Sequence, residues 1–140
     1  MKATDRKLYC RVAYPYVDRP YSIGYSATIS APHMHAHALD ILSKHLKPNS
    51  NILDVGAGSG FLTACFARFI QEKAKLENTE VTGKIIGIEH HPKLVEFAIG
   101  IFKWVFFFFF FNSIKNYYFL QKTLTQTIRN FSQMEKSKLF

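Results

Sequence analysis

At 140 residues the chain has room for one modest domain, and its 48% hydrophobic content is normal for a globular protein. The net charge of +8 is uneven: residues 1–98 hold 12 Lys/Arg against 9 Asp/Glu, while residues 99–140 hold 6 against 1. Basicity therefore belongs mostly to the tail and argues against a folded nucleic-acid-binding face, and two cysteines, Cys10 and Cys65, are too few for a disulfide framework.

The N-terminus opens Met1-Lys2-Ala3-Thr4-Asp5-Arg6 without an apolar signal segment, which suits a reducing, cytoplasmic setting. The Pro and Gly positions between Tyr16 and Ser30 predict an irregular loop. Ser30 or Ala31 would cap a helix that begins at Pro32 and runs to about His45. Its apolar side would be Met34, Ala38, Leu39, Ile41 and Leu42.

Asn51-Ile52-Leu53-Asp54-Val55, preceded by Pro48-Asn49-Ser50, reads as a buried strand. Gly56-Ala57-Gly58-Ser59-Gly60 follows at once. Phe61, Leu62, Cys65, Phe66, Phe69 and Ile70 then recur at helical spacing, and Cys65 reads as a small buried hydrophobe. Gln71 to Thr82 reads as a helix extension and a charged surface loop without chemistry. Lys84 to Glu89 is a second strand ending in an acid, and Pro92 starts the next helix.

The composition changes near residue 99. Residues 101–140 contain no Gly, Pro, Asp, Ala, His or Cys, and they carry 10 of the 14 phenylalanines, six of them consecutive. Few turn residues are left to fold such a stretch. Two segments are expected: residues 1–98 as a partial domain, and residues 99–140 as a Phe-rich tail outside that fold. Phe97 to Phe111 is apolar apart from Lys103, but its 15 residues fall short of the roughly 20 that a spanning helix needs. No membrane association is expected.

Strand, glycine turn and helix form the opening of a Rossmann-like unit. The glycine spacing selects among ligands. A dinucleotide fingerprint, G-x-G-x-x-G counted from Gly56, would need glycine where Phe61 stands, and a Walker A loop would need Gly-Lys-Ser/Thr. What remains is D-V-G-x-G-x-G with Asp54 at the strand end. This is the pattern of S-adenosyl-L-methionine-dependent methyltransferases, and it suits a cofactor with no phosphate to seat on the helix N-terminus. Glu89, ending the next strand, is placed to accept hydrogen bonds from ribose hydroxyls.

Three separated strings sharpen the reading. Ala27-Thr28-Ile29-Ser30-Ala31-Pro32-His33-Met34-His35-Ala36, Leu53 to Arg68, and Gly83 to His90 resemble the protein-L-isoaspartate O-methyltransferase family, as does Ala3-Thr4-Asp5-Arg6. The resemblance covers residues 2–98. It implies an α/β, Rossmann-like S-adenosyl-L-methionine-dependent methyltransferase fold, truncated at both ends. It implies Ser30 as the catalytic residue, with Ala27, Thr28, Ile29 and His35 beside the cofactor. Asp54, Val55, Gly56, Ala57, Gly58 and Ser59 would form the cofactor loop, with Glu89 on the ribose.

The implied reaction moves a methyl group from S-adenosyl-L-methionine to the α-carboxylate of isoaspartyl residues in damaged peptides and proteins, by a monomer. Two alternatives stay open: a methyltransferase acting on a small molecule, and a chain without catalytic function. Ser30 lacks the G-x-S-x-G elbow of a hydrolase. His33 and His37 share a helix face, but with no H-E-x-x-H and no third ligand in reach, no metal site is expected.

Overall fold

The computed structural model describes residues 3–109 and 117–120, with side chains described up to residue 102. A short 3-10 helix, Arg6–Leu8, opens the chain, and Asp5 caps it by accepting the Lys7 N–H at 3.0 Å. Two antiparallel strands follow, β1 (Tyr21–Gly24) and β2 (Ala27–Ile29). Next come α1 (Pro32–Leu42), β3 (Ile52–Val55), α2 (Phe61–Leu76), β4 (Ile85–Ile88), α3 (Pro92–Phe109) and β5 (Tyr117–Leu120). Strands β3, β4 and β5 form a parallel sheet in that order, with Ile52 opposite Ile85 and Ile85 opposite Tyr117. Parallel neighbours require crossovers, which α2 and α3 provide.

β4 lies between two strands, and all four of its residues, Ile85 to Ile88, are buried. This explains why its sequence is apolar without alternation. β3 is only half-buried, with Val55 53% exposed, because among the described residues it pairs on one side alone. The expectation of a buried strand there holds for its partner β4 instead. Tyr9, Ile29, Leu39, Phe61, Phe66, Ile70 and Ile85 share one core, with the edge of the Tyr9 ring against Phe61. Cys65 is buried in α2 as expected. Burial, with minor offsets from Thr4 and nearby charges, pushes its thiol up to about 11, so it is inert as a nucleophile.

Other elements differ from their expectation. The segment expected to be an irregular loop contains the β1–β2 hairpin. Its tip is Tyr25-Ser26, with φ of +54° and +56°. A two-residue hairpin turn needs positive φ at both positions, and Asn-Gly or Asp-Gly is the usual signal. A Tyr-Ser pair hides it. The Tyr25 ring stacks on His91 at 4.3 Å between centroids, a tertiary contact that helps hold the turn.

Helix α1 stops at Leu42 rather than His45. The Ser43 hydroxyl donates to the Asp40 carbonyl, and the Ser50 hydroxyl takes the His45 carbonyl, so local bonds replace the helical ladder. Ala31, not Ser30, occupies the cap position, and no side chain caps the helix. The buried face of α1 is His35 and Leu39, while Met34 and Ile41 are 52% and 60% exposed. A histidine can hold a core position because it has partners there, described below.

Helix α3 runs unbroken across residue 98, and β5 lies within the Phe-rich stretch expected to stand outside the fold. Composition reports turn residues and apolar content. It does not report the backbone hydrogen bonds by which β5 joins β4. The rest of that stretch, 110–116 and 121–140, lies outside the described residues. Among the described residues no helix is long and apolar enough to cross a membrane.

Candidate functional site

The glycine loop leaves β3 tied to the neighbouring strand. The N–H groups of Gly56 and Ala57 both donate to the Ile88 carbonyl at 3.0 Å. Gly60 then caps α2 at φ +84°, a left-handed position that an L side chain resists. Gly58, at φ +57°, sits under the hairpin. A Cβ placed there would meet only the Ile23 Cδ1, at 3.5 Å. The space above this backbone is therefore open, as close approach by a ligand requires.

Hairpin and loop enclose a pocket of about 290 Å³. Thr28, Ile29, Ser30 and His35 line one wall, and Asp54 through Ser59 line the other. Ten of the twelve predicted site residues thus meet in one cavity, although most of α1 and the loop before β3 separate the two groups along the chain. Ser30 is exposed at the wall. Ala27 and Glu89 are not part of the lining. Ile23, Met34, Ala38, Phe61 and Leu62 are, although none of them was named as a site residue. Their signal was ordinary hydrophobicity, which does not distinguish a pocket wall from a core.

Glu89 stands behind the loop. It is 6% exposed and accepts three backbone N–H groups: Gly58 at 2.9 Å on Oε2, and His90 at 2.8 Å and His91 at 3.1 Å on Oε1. Burial pushes its carboxyl up, but the N–H groups of His91, Gly58 and His90, with the His90 ring nearby, outweigh that and hold it below its ordinary value. It is ionised, and it braces the glycine loop. Asp54 is the opposite case. Burial pushes its carboxyl up, Glu89's charge adds to the push, and the Thr63 hydroxyl, donating to Oδ2, pulls against it.

Asp54 on the lining and the Glu89 charge behind the open glycine backbone fit a ligand with hydroxyl donors and a positive centre. They do not fit a phosphate. The donor set therefore matches the S-adenosyl-L-methionine expected from the spacing.

The histidines do different work. The His33 N–H and ring both reach Asp18, at 2.9–3.0 Å, which fastens the loop before β1 to the start of α1 and holds Asp18 below its ordinary carboxylate value. His35 is buried, with its ring 4.9 Å from Phe61 in edge contact and its Nδ1 3.4 Å from Arg6 Nη1. Burial first, and the Arg6 charge second, lower its pKa to about 4.

The stability consequence has a definite sign. The unfolded chain restores a pKa of 6.5, so it takes up a proton before the folded protein does. Stability should fall as pH drops below 6.5, with the loss complete near 4. The loss from this group is on the order of 3 kcal/mol. Urea unfolding of the wild type and of His35→Gln across that window checks it. The variant should show a flatter dependence, and coincident slopes would refute the assignment.

Arg6 escaped the sequence reading. It is 4% exposed and reaches the site through the Ser30 carbonyl, to which Nη2 donates at 2.8 Å. The only hint was its place in the Ala3-Thr4-Asp5-Arg6 string.

Comparison with known proteins points one way. The family model "Protein-L-isoaspartate(D-aspartate) O-methyltransferase (PCMT)" matches residues 1–103. Protein-L-isoaspartate O-methyltransferase 1 of Arabidopsis thaliana is 50% identical over 100 residues, 71% of this chain and 40% of the relative. The Caenorhabditis elegans protein-L-isoaspartate O-methyltransferase is 48% identical over 98 residues, 70% of this chain and 39% of its own length.

A solved structure from Plasmodium falciparum, described as a putative protein-L-isoaspartate O-methyltransferase in complex with S-adenosyl-L-homocysteine, superimposes with a TM-score of 0.72 at 37% identity. It covers 89% of this chain and 54% of that one. The chain thus spans about two fifths of the length of the curated relatives it matches. On a match over residues 1–103 of 140, together with a fold of the same kind, the chain belongs to the protein-L-isoaspartate(D-aspartate) O-methyltransferase family.

Proposed function

We propose that the pocket between hairpin and glycine loop binds S-adenosyl-L-methionine, and that Ser30 presents the α-carboxylate of an isoaspartyl residue to it for methylation. Such a protein repairs damaged peptides and proteins. The observation that carries the reading is the convergence of the Thr28–Ser30 and Asp54–Ser59 walls on one cavity, in a chain of this family. The S-adenosyl-L-homocysteine in the Plasmodium falciparum structure supports it, being the cofactor after loss of its methyl group.

Bound there, the cofactor supplies a methyl group on positively charged sulfur. The protein's share is placement. Asp54 and the glycine-loop backbone offer acceptors and donors, and Glu89 keeps the loop in shape. The acceptor carboxylate is ionised at neutral pH, so no strong base is needed. It must lose water and be aligned, and the exposed Ser30 hydroxyl suits that task as a hydrogen-bond donor. Ala27, paired with Gly24 in the hairpin, adjoins this wall.

Labelled S-adenosyl-L-methionine with two peptides, identical except for one isoaspartyl or aspartyl residue, tests this reading. Methylation of the isoaspartyl peptide alone is expected. Methylation of both, or of neither while calorimetry shows S-adenosyl-L-homocysteine bound, would overturn it.

A further inference from the structure

Arg6 belongs to none of the ion pairs found among the described residues, although it is 4% exposed. A buried guanidinium is tolerated only where its donors are used. Here they are used on three separate segments. Nε donates to the Pro15 carbonyl at 2.8 Å, before β1. Nη2 donates to the Ser30 carbonyl at 2.8 Å, where β2 turns into α1. Nη1 lies 3.4 Å from His35 Nδ1, one turn into α1. Its face lies over Phe61, 5.5 Å from the ring centroid, at the first residue after the glycine loop. Ser30 and His35 line the pocket, and Arg6 does not.

We propose that Arg6 is a positioning residue for the methyl transfer, whose rigid fork sets both the peptide plane that carries Ser30 and the tautomer of His35. The inference rests on the proposed function for its catalytic meaning, though not for its geometry. Holding the Ser30 carbonyl restrains the backbone from which the hydroxyl projects. A guanidinium has only donors, so the His35 nitrogen facing it must present a lone pair. The neutral ring then carries its proton on Nε2. Lysine would keep the charge but not the planar fork, so Arg6→Lys separates the two contributions.

The test uses the full chain, labelled with nitrogen-15, and long-range proton–nitrogen spectra of the histidine rings at neutral pH. Wild-type His35 should show a protonated Nε2 and a bare Nδ1. In Arg6→Lys the Nδ1 signal should move towards a tautomer mixture. The kcat on an isoaspartyl peptide should fall about tenfold while S-adenosyl-L-homocysteine affinity stays within about threefold. Arg6→Met should do at least as much. If it fails to fold, the wild-type and lysine spectra still decide.

A proton on Nδ1 in the wild type, or an unchanged His35 spectrum and kcat in Arg6→Lys, would overturn the proposal. The expected tautomer in a protein that binds the homocysteine product but methylates no isoaspartyl peptide would instead sink the function and leave the geometry standing.

Discussion

Gly83→Ala is expected to destabilise the protein by about 3 kcal/mol or more. A Cβ at Gly83 would stand 2.0 Å from the Ser50 carbonyl oxygen, and 2.8 Å from the carbonyl carbons of Asn49 and Ser50. These are backbone atoms and cannot swing aside. The N–H groups of Thr82 and Gly83 both donate to the Pro48 carbonyl, at 3.0 and 2.9 Å. This corner joins the approaches to β3 and β4 and so sets the register of Ile52 against Ile85. Making room for one methyl group means breaking those bonds or shifting that register.

Gly100→Ala is the control. It lies in α3, and a Cβ there meets nothing within 4 Å. It should stabilise by up to about 1 kcal/mol, because alanine is the better helix former. Urea midpoints of the two variants check the pair. A Gly83→Ala protein as stable as wild type would show that the corner is looser than described.

Glu89→Gln is expected to weaken S-adenosyl-L-homocysteine binding by roughly 30- to 100-fold and also to lower the melting temperature of the free protein. Both carboxylate oxygens accept backbone N–H groups, Gly58 on one side and His90 and His91 on the other. An amide has only one oxygen. Whichever way it turns, its NH2 group faces a donor, and a buried N–H loses its acceptor at about 1–3 kcal/mol. If Glu89 served only as a ribose ligand, the free protein would melt unchanged. Calorimetry with the ligand and thermal melts without it separate the two roles, and unaltered values in both would remove Glu89 from the site.

Much of the site was legible in the chain itself. Gly56, Gly58 and Gly60 announce a left-handed backbone, because few other residues tolerate it. Asp54 and Glu89, each closing a short apolar run, announce two strand ends. The helical spacing after Phe61 announces α2. These signals are local: one or two residues determine the conformation wherever the chain goes.

Other features depended on partners far away in sequence. The hairpin tip Tyr25-Ser26 carries no turn signal, and Tyr25 stacks on His91. His35 is polar by type and buried in fact, because Arg6 and Phe61 receive it. Glu89 was expected on the ribose from the sequence, but its hold on the loop could not be read there, because the Gly58 N–H lies within reach only once β3 and β4 pair. β5 was unreadable for a related reason. A Phe-rich segment looks the same paired or free, and only a neighbouring strand supplies the difference.

By itself the amino-acid sequence determined the strand–glycine–helix unit, the kind of cofactor its spacing admits and the family it belongs to. The tertiary structure alone decided what each polar side chain does: Arg6 as a hub, His35 as a neutral core residue, Glu89 as a brace. The division has a physical cause. Backbone conformation is encoded within a few residues, whereas hydrogen-bond partners and burial depend on segments that meet only when the chain has folded.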